Sequence, residues 1–384
     1  MEPSKTVYLD NAATTPLDPI VIDAMCEVMT NYGNPSATHA LGRKSRGVIE
    51  TSRKKIAGFL HADAKEIVFT SGGTEADNMA IRCSVNDLGV KHIITSPIEH
   101  KAVLQTSQDL VSKGLVSIHL VNVDNDASID YTHLESLASK YPGALISLMH
   151  ANNEVGTLLD YKKVSRIAKE NNCLFHSDTV QTMGHYAFDV SEFGADFLAC
   201  SAHKLHGPKG VGFLYVNKKL AIKSMMTGGG QESNHRAGTE NIIGIVGMTK
   251  ALELAFTNVK EEQKHMFGLK TYMMEKVVKE LPQVQFNGNT SFDGGLYTVL
   301  NCSLPPHPNN ALLLFQLDLD GVCCSGGSAC NSGAATGSHV LNAINHDPNR
   351  QAIRFSFGRF STKEDVDYTI DVLSKLLQPQ TVKV

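Results

Sequence analysis

The segment Phe197-Leu198-Ala199-Cys200-Ser201-Ala202-His203-Lys204-Leu205-His206-Gly207-Pro208-Lys209-Gly210 sets an apolar run of strand length against a polar turn rich in glycine and proline. Residues 197–200 read as a buried strand, and the rest as the loop at its C-terminal end. Working outward, similar β-rich runs at 66–69, 92–95, 117–121, 144–149, 173–176 and 211–216 alternate with helix-length segments. Strands separated by helices predict βαβ crossovers, hence an α/β fold with a mostly parallel sheet and helices on both faces. Ligands of such sheets gather beyond the C-terminal strand ends.

C-terminal to this, residues 250–281 form a long, charge-laced amphipathic stretch ending at Pro282, which reads as a bridge to a second unit. A strand at 297–302, a helix at 309–317, a short strand at 322–324, a Gly/Ser/Ala-rich loop, a strand at 353–357 and a helix at 363–377 follow. That alternation predicts a smaller α+β domain. The expected division is a large domain at 14–256 and a small domain from 1–13 and 257–384, the latter carrying the loop at about 325–338. A chain of 384 residues with 42% hydrophobic content has the material for one large and one smaller core.

The formal net charge of -4, without a run of Lys or Arg, gives no footprint for a nucleic acid or an anionic membrane. The N-terminus lacks the pattern of a secretory signal, and no apolar run is expected to reach the ~18 to 20 residues of a membrane span. The expectation is a cytoplasmic protein without membrane contact. Eight cysteines scattered through a long chain suit reduced thiols better than a disulfide framework.

An amine at the end of a buried strand, with Ser201, His203 and two glycines around it, is how a protein holds a carbonyl cofactor as a Schiff base, which singles out Lys204. After the first strand, Thr70-Ser71-Gly72-Gly73-Thr74-Glu75-Ala76-Asp77-Asn78 opens a helix and could cradle a phosphate on backbone N–H groups; a plain turn is the alternative. Asp178, in His176-Ser177-Asp178-Thr179-Val180-Gln181, could pair with a protonated ring nitrogen, with Gln181 donating to a ring oxygen; alternatively Asp178 caps a helix. His100, in Glu99-His100-Lys101, could stack on a cofactor ring and move protons, or be an ordinary satisfied histidine.

In order and spacing these segments, together with Asp10-Asn11-Ala12-Ala13-Thr14-Thr15, Tyr32-Gly33-Asn34-Pro35-Ser36 and Asn152-Asn153-Glu154-Val155-Gly156, resemble the cysteine desulfurases. These are pyridoxal 5'-phosphate (PLP) enzymes of the class V aminotransferase group, and the resemblance runs from about Tyr8 to Gln378. It implies that Lys204 carries PLP, that Asp178 meets the pyridine nitrogen and Gln181 the ring hydroxyl, and that His100 stacks on the ring. It also implies that the Gly73 and Thr74 amides, Ser201 and His203 hold the phosphate. Thr239, in Arg236-Ala237-Gly238-Thr239-Glu240-Asn241, matches a residue that reaches the phosphate of a neighbouring subunit, which implies a homodimer.

Cys330 lies in Ser325-Gly326-Gly327-Ser328-Ala329-Cys330-Asn331-Ser332-Gly333, whose small side chains cannot anchor a loop by apolar burial. By itself it reads equally as an incidental exposed thiol. The Ser-Ala-Cys ending resembles the sulfur-accepting loop of the long-loop (NifS/IscS-like) desulfurases, which implies that Cys330 takes sulfur from L-cysteine as a persulfide and passes it to a protein acceptor. L-Alanine is then the other product. Arg354, in Ile353-Arg354-Phe355-Ser356-Phe357-Gly358-Arg359, matches a carboxylate-binding arginine, a task suited to a planar bidentate donor. Its alternative, a surface ion pair, is the role expected for Arg359. Asn153 matches a substrate-contacting residue.

Asp124, Asp126, Ser128, Asp130 and Glu135 have EF-hand-like spacing, but Ile129 stands where the sharp turn needs glycine, so a turn and a helix capped by Asp130 are expected, and no metal. Adjacent Cys323 and Cys324 fit a buried strand better than a metal site. The chain departs from the family pattern in three places: Gly326 replaces a usual serine, Ala335-Thr336-Gly337-Ser338-His339 replaces Glu-Pro-Ser-His, and the chain ends at Val384 without a longer docking tail. The rival readings are a related PLP enzyme, such as a selenocysteine lyase or an aminotransferase, and a non-catalytic scaffold on the same fold.

Overall fold

The computed structural model describes residues 5–308, 310–326 and 337–378. A short strand, β1 (Val7–Tyr8), precedes the main sheet, whose strands are β2 (Ile67–Thr70), β3 (His92–Thr95), β4 (Ser117–Leu120), β5 (Leu145–Ser147), β6 (Leu174–Asp178), β7 (Phe197–Ser201) and β8 (Gly212–Val216). The sheet order is β2-β8-β7-β6-β5-β3-β4. Neighbours from β7 through β4 are parallel, while β8 runs antiparallel to both β2 and β7. The predicted α/β sheet is present, and β8 reverses because the 202–211 connection is too short for a helical crossover.

Strands β2, β5, β7 and β8 are buried at every position, which is why they read as continuous apolar runs. The large core gathers Phe175, Leu198 and Phe213 from the sheet with Ile49 and Ile56 from the helix Ala40–Phe59. A second core forms around the antiparallel strands β9 (Gln285–Asn287), β10 (Val299–Leu304) and β12 (Gln351–Ser356), in the order β12-β10-β9. Strand β11 (Val322–Cys323) pairs in parallel with β1, so the N-terminal segment packs into this second core through Val7 and Leu9.

The 39-residue helix Ile242–Glu280 serves both cores. Ile245, Met248, Ala251 and Leu252 enter the large core, and Met266, Leu269, Met273 and Val277 enter the second. An 18-residue window of this helix reaches a mean hydropathy of 1.4, long and apolar enough to cross a membrane. The expectation that no stretch meets that test is therefore corrected. The physical reason is that a helix shared by two cores carries apolar side chains over much of its circumference.

The helix expected at 309–317 is a 3-10 turn, Asn310–Leu312, followed by the helix Leu313–Leu319. Asp130 caps the helix Tyr131–Lys140 by accepting from the His133 amide at 3.0 Å, and Ser128 N–H donates to Asp126 across the preceding turn. The EF-hand-like spacing is thus a turn and a cap.

Candidate active site

Five strand ends converge. The residues after β2, β3, β5, β6 and β7 open onto a cleft of about 410 Å³, whose walls include Gly73, Thr74, His100, Asn153, Asp178 and Gln181. Ser201, His203, Lys204 and Arg354 complete the set of sequence-predicted residues found there. Thr239 is solvent-exposed and lies outside the walls of the cleft of its own chain. Cys330 lies outside the described residues.

Lys204 closes a 3-10 turn, Ala202–Lys204, directly after β7. Its Nζ donates to the carbonyl oxygens of Ala12 at 2.5 Å and Ala13 at 2.7 Å. The 10–15 segment also accepts the Gln181 Nε2–H at Ala12 O, 3.0 Å, and its Thr15 hydroxyl and amide donate to His203 O at 3.0 and 2.9 Å. The N-terminal turn therefore forms one wall of the cleft, although its residues carried no individual role in the sequence reading. Burial lowers the His203 imidazole to about 4, with the Lys204 and Lys209 charges adding to it, so this ring is neutral and its Nδ1 pairs with the Thr14 hydroxyl at 3.2 Å.

Opposite the amine, the helix Gly73–Asn86 begins with Gly72 at φ +150°, and no side chain caps it. Its first-turn N–H groups are thereby left to an anion. A Cβ on Gly73 would lie 2.6 Å from Val180 Cγ2, and one on Gly72 would face Ser201 Oγ at 3.4 Å, so small residues are required for the turn to pack beside Ser201. This cradle fits the phosphate of PLP.

Asp178 ends β6 and is 6% exposed. One carboxylate oxygen accepts the Val180 N–H at 2.9 Å; no α-helix or 3-10 helix begins there, so the helix-cap alternative is replaced by a turn. Burial raises its carboxyl above the ordinary range, an effect opposed by the His100 and Lys204 charges. Beneath it, Asp77 is 1% exposed, lies one turn after Gly73, and sits near His100 and Asp178 with ligand atoms all within 4.8 Å of one another. Asp77 Oδ1 is 3.4 Å from His176 Nε2, and neither atom has a hydrogen-bond partner. Burial raises Asp77 well above the usual carboxylate range and lowers His176 to about 3. A cationic ring nitrogen placed over Asp178 is the charge this acidic pocket accommodates, so the donor set fits the pyridinium of PLP. The one-turn spacing from Gly73 to Asp77 was the available sequence signal for Asp77.

His100 caps the helix Lys101–Ser112, its Nδ1 accepting the Ala102 N–H at 3.1 Å. The preceding Glu99 is fully buried and bonded to the Ser96 hydroxyl at 2.6 Å and the Met149 N–H at 2.9 Å; burial pushes its carboxyl up to about 8. His339, unassigned by the sequence reading, lines the same cleft and bonds through Nε2 to Glu99 O at 2.9 Å.

Arg354, on β12, is 1% exposed and is no surface pair. Its guanidinium donates to Asn153 O at 2.8 Å and to Asp10 Oδ1 at 2.9 Å. Arg359 pairs with Asp18 at 2.6 Å and Glu262 at 2.7 Å. It is an ion-pair residue as expected, though with a side chain only 13% exposed. Of the family departures, Gly326 has a packing cause: a Cβ there would meet Leu314 Cδ1 at 2.5 Å. Ser338 caps the helix His339–Ala343 and donates to Glu154, while Ala335, Thr336 and the chain end lie outside the described residues.

A parallel sheet with an amine, a buried acid and an anion cradle at its C-terminal edge defines an aminotransferase-like cofactor enzyme. The chain belongs to the class-V aminotransferase family, whose model matches residues 7–369. More particularly, its relatives are cysteine desulfurases. A protein named cysteine desulfurase IscS from Dictyoglomus turgidum is 45% identical over 379 residues, covering 97% of this chain and 95% of the relative. One of the same name from Methanosarcina thermophila is 42% identical, covering 98% and 93%. Among solved structures, a NifS-like protein superposes with a TM-score of 0.89 at 35% identity, covering 97% of this chain and 99% of that one. A structure described as SspA in complex with cysteine matches with a TM-score of 0.80 at 31% identity, over 93% and 100% of the two chains.

Proposed function

We propose that the protein is a PLP-dependent cysteine desulfurase that converts L-cysteine to L-alanine and loads the sulfur on Cys330 for a protein acceptor. The observation that carries this reading is the meeting in one cleft of the Lys204 amine, the buried Asp178 carboxylate, the uncapped helix start at Gly73 and the buried Arg354 guanidinium. When bound, PLP supplies an electron-poor ring joined to the nitrogen of the amino acid, which lowers the cost of negative charge next to that nitrogen.

The Gly73 and Thr74 amides, Ser201 and His203 hold the phosphate, Asp178 meets the ring nitrogen, Gln181 meets the ring oxygen, and His100 covers one ring face. Arg354 and Asn153 take the substrate carboxylate. Lys204 Nζ, steadied by the Ala12 and Ala13 carbonyls, moves the Cα proton. Because His100 Nδ1 accepts a backbone N–H, Nε2 carries the proton of the neutral ring and exchanges it with the substrate thiol. The Cys330 thiolate attacks the substrate sulfur; an S–S bond forms as the C–S bond breaks, and the electron pair leaves to Cβ, which takes a proton. One thiol and one cysteine become one persulfide and one alanine, with no outside oxidant or reductant.

The exposed position of Thr239, together with exposed Ile20, Met29 and Tyr32, supports a homodimer in which Thr239 completes the neighbouring phosphate site. The acceptor serves iron–sulfur cluster assembly or thio-modification, in the cytoplasm. Incubating the protein with L-cysteine and a reducing thiol tests the reading: L-alanine and sulfide are expected in equal amounts, and pyruvate or another keto acid in place of alanine would overturn it.

A further inference from the structure

A guanidinium with 1% exposure has its charge and its geometry set by its neighbours, and those of Arg354 are unevenly arranged. Nη1 is spent on Asn153 O and Nη2 on Asp10 Oδ1, while Nε–H is buried with no partner. Buried N–H donors are rarely left so, and this one lies on a side chain that lines the cleft. Nε together with the second Nη2–H forms the side edge of the guanidinium, a fork that matches a carboxylate.

Asp10 does more than neutralise this charge. The same Oδ1 accepts the Ser325 hydroxyl at 2.8 Å, and Ser325 exchanges two backbone hydrogen bonds with Arg354, at 2.6 and 3.3 Å. Asp10 O caps the turn that presents the Ala12 and Ala13 carbonyls to Lys204, through the Ala13 and Thr14 amides at 3.0 and 3.3 Å. One aspartate thus joins the turn facing the amine, the guanidinium and the residue that starts the sequence leading to Cys330.

We infer that Asp10 is a positioning residue that fixes Arg354 with its Nε edge turned to the substrate carboxylate and ties Ser325 to the same guanidinium. The inference rests on the placement of the substrate carboxylate at Arg354 proposed above. Without Asp10 the arginine loses the partner that sets its rotation, and the cost falls on ligands that carry a carboxylate.

The experiment compares L-alanine, the product, with ethylamine, which is the same molecule without the carboxylate, each binding to the cofactor-loaded enzyme and followed by the change in visible absorbance. Asp10→Ala is expected to weaken L-alanine by about tenfold, the scale of one charge-assisted hydrogen bond, with a parallel rise in KM for L-cysteine and ethylamine unaffected. Asp10→Asn keeps an acceptor oxygen and should weaken L-alanine less than Asp10→Ala does. Asp10→Ser serves in place of alanine if that variant is insoluble, with the same expectation. Equal weakening of both ligands, or of neither, overturns the inference. Arg354→Ala separates the two levels: if it weakens L-alanine while Asp10→Ala does not, this inference alone fails; if it too leaves L-alanine unchanged, the carboxylate site fails with it.

Discussion

Lys204 Nζ lies 2.5 Å from the carbonyl oxygen of Ala12, a residue 192 positions away in the chain. The amine at the end of β7 is therefore held by the N-terminal turn, which is itself fastened beside the second core by Ser356 bonding to the Ala12 amide at 2.8 Å. Borohydride reduction of the PLP-loaded protein, followed by peptide mass analysis, should place the cofactor on Lys204. Lys204→Ala should abolish both the modification and alanine formation, and a modified peptide elsewhere would refute the assignment.

Cys330 is expected to be needed for sulfur release and dispensable for cofactor binding. Cys330→Ser should keep the visible absorbance of the loaded protein and lose sulfide production from L-cysteine. Unchanged turnover would remove its role.

Gly73 packs where a methyl group would press on Val180, a β-branched side chain with little freedom to move. Gly73→Ala should cost about 1–3 kcal/mol of stability through overpacking and weaken PLP binding, since the displaced turn carries the phosphate amides. Equilibrium unfolding and PLP titration measure the two effects.

Glu232, with φ +47°, heads three consecutive residues of positive φ and is held by the Arg53 guanidinium through two 2.7 Å bonds and by the Phe69 N–H at 2.8 Å. Both side chains are nearly inaccessible. Glu232→Ala leaves a buried charge unpaired, a loss of about 3–5 kcal/mol. A fall in melting temperature with the cofactor-loaded spectrum retained would separate this anchor from the chemistry; an unchanged melting temperature would contradict it.

Glu99 gives a pH signature. Burial raises its carboxyl to about 8 from a model value of 4.5. Between those values the folded state holds a proton the unfolded chain has released, so stability falls as pH rises, by up to about 1.4 kcal/mol per pH unit. Below 4.5 its contribution is fully present, and above 8 it has been lost. Cofactor binding excludes more water and keeps the direction. Thermal unfolding from pH 5 to 9 should show this slope reduced in Glu99→Gln; identical slopes would count against a protonated Glu99.

The sequence by itself determined the sheet and most of the site. Buried parallel strands must be short and apolar, and their polar successors must fall at the C-terminal edge, so Lys204, Asp178, His100 and the Gly73 turn were readable from local pattern and spacing. The family resemblance added Arg354 and Asn153. Tertiary structure alone decided which atoms serve them. Asp77 looks like any helical aspartate until the sheet buries it beside Asp178. Asp10 and Arg354 are 344 residues apart and meet only because β1 pairs with β11, placing the N-terminal segment beside β12. Local sequence carries backbone preference and side-chain chemistry, whereas burial, charge pairing and donor saturation depend on neighbours that the chain acquires only on folding.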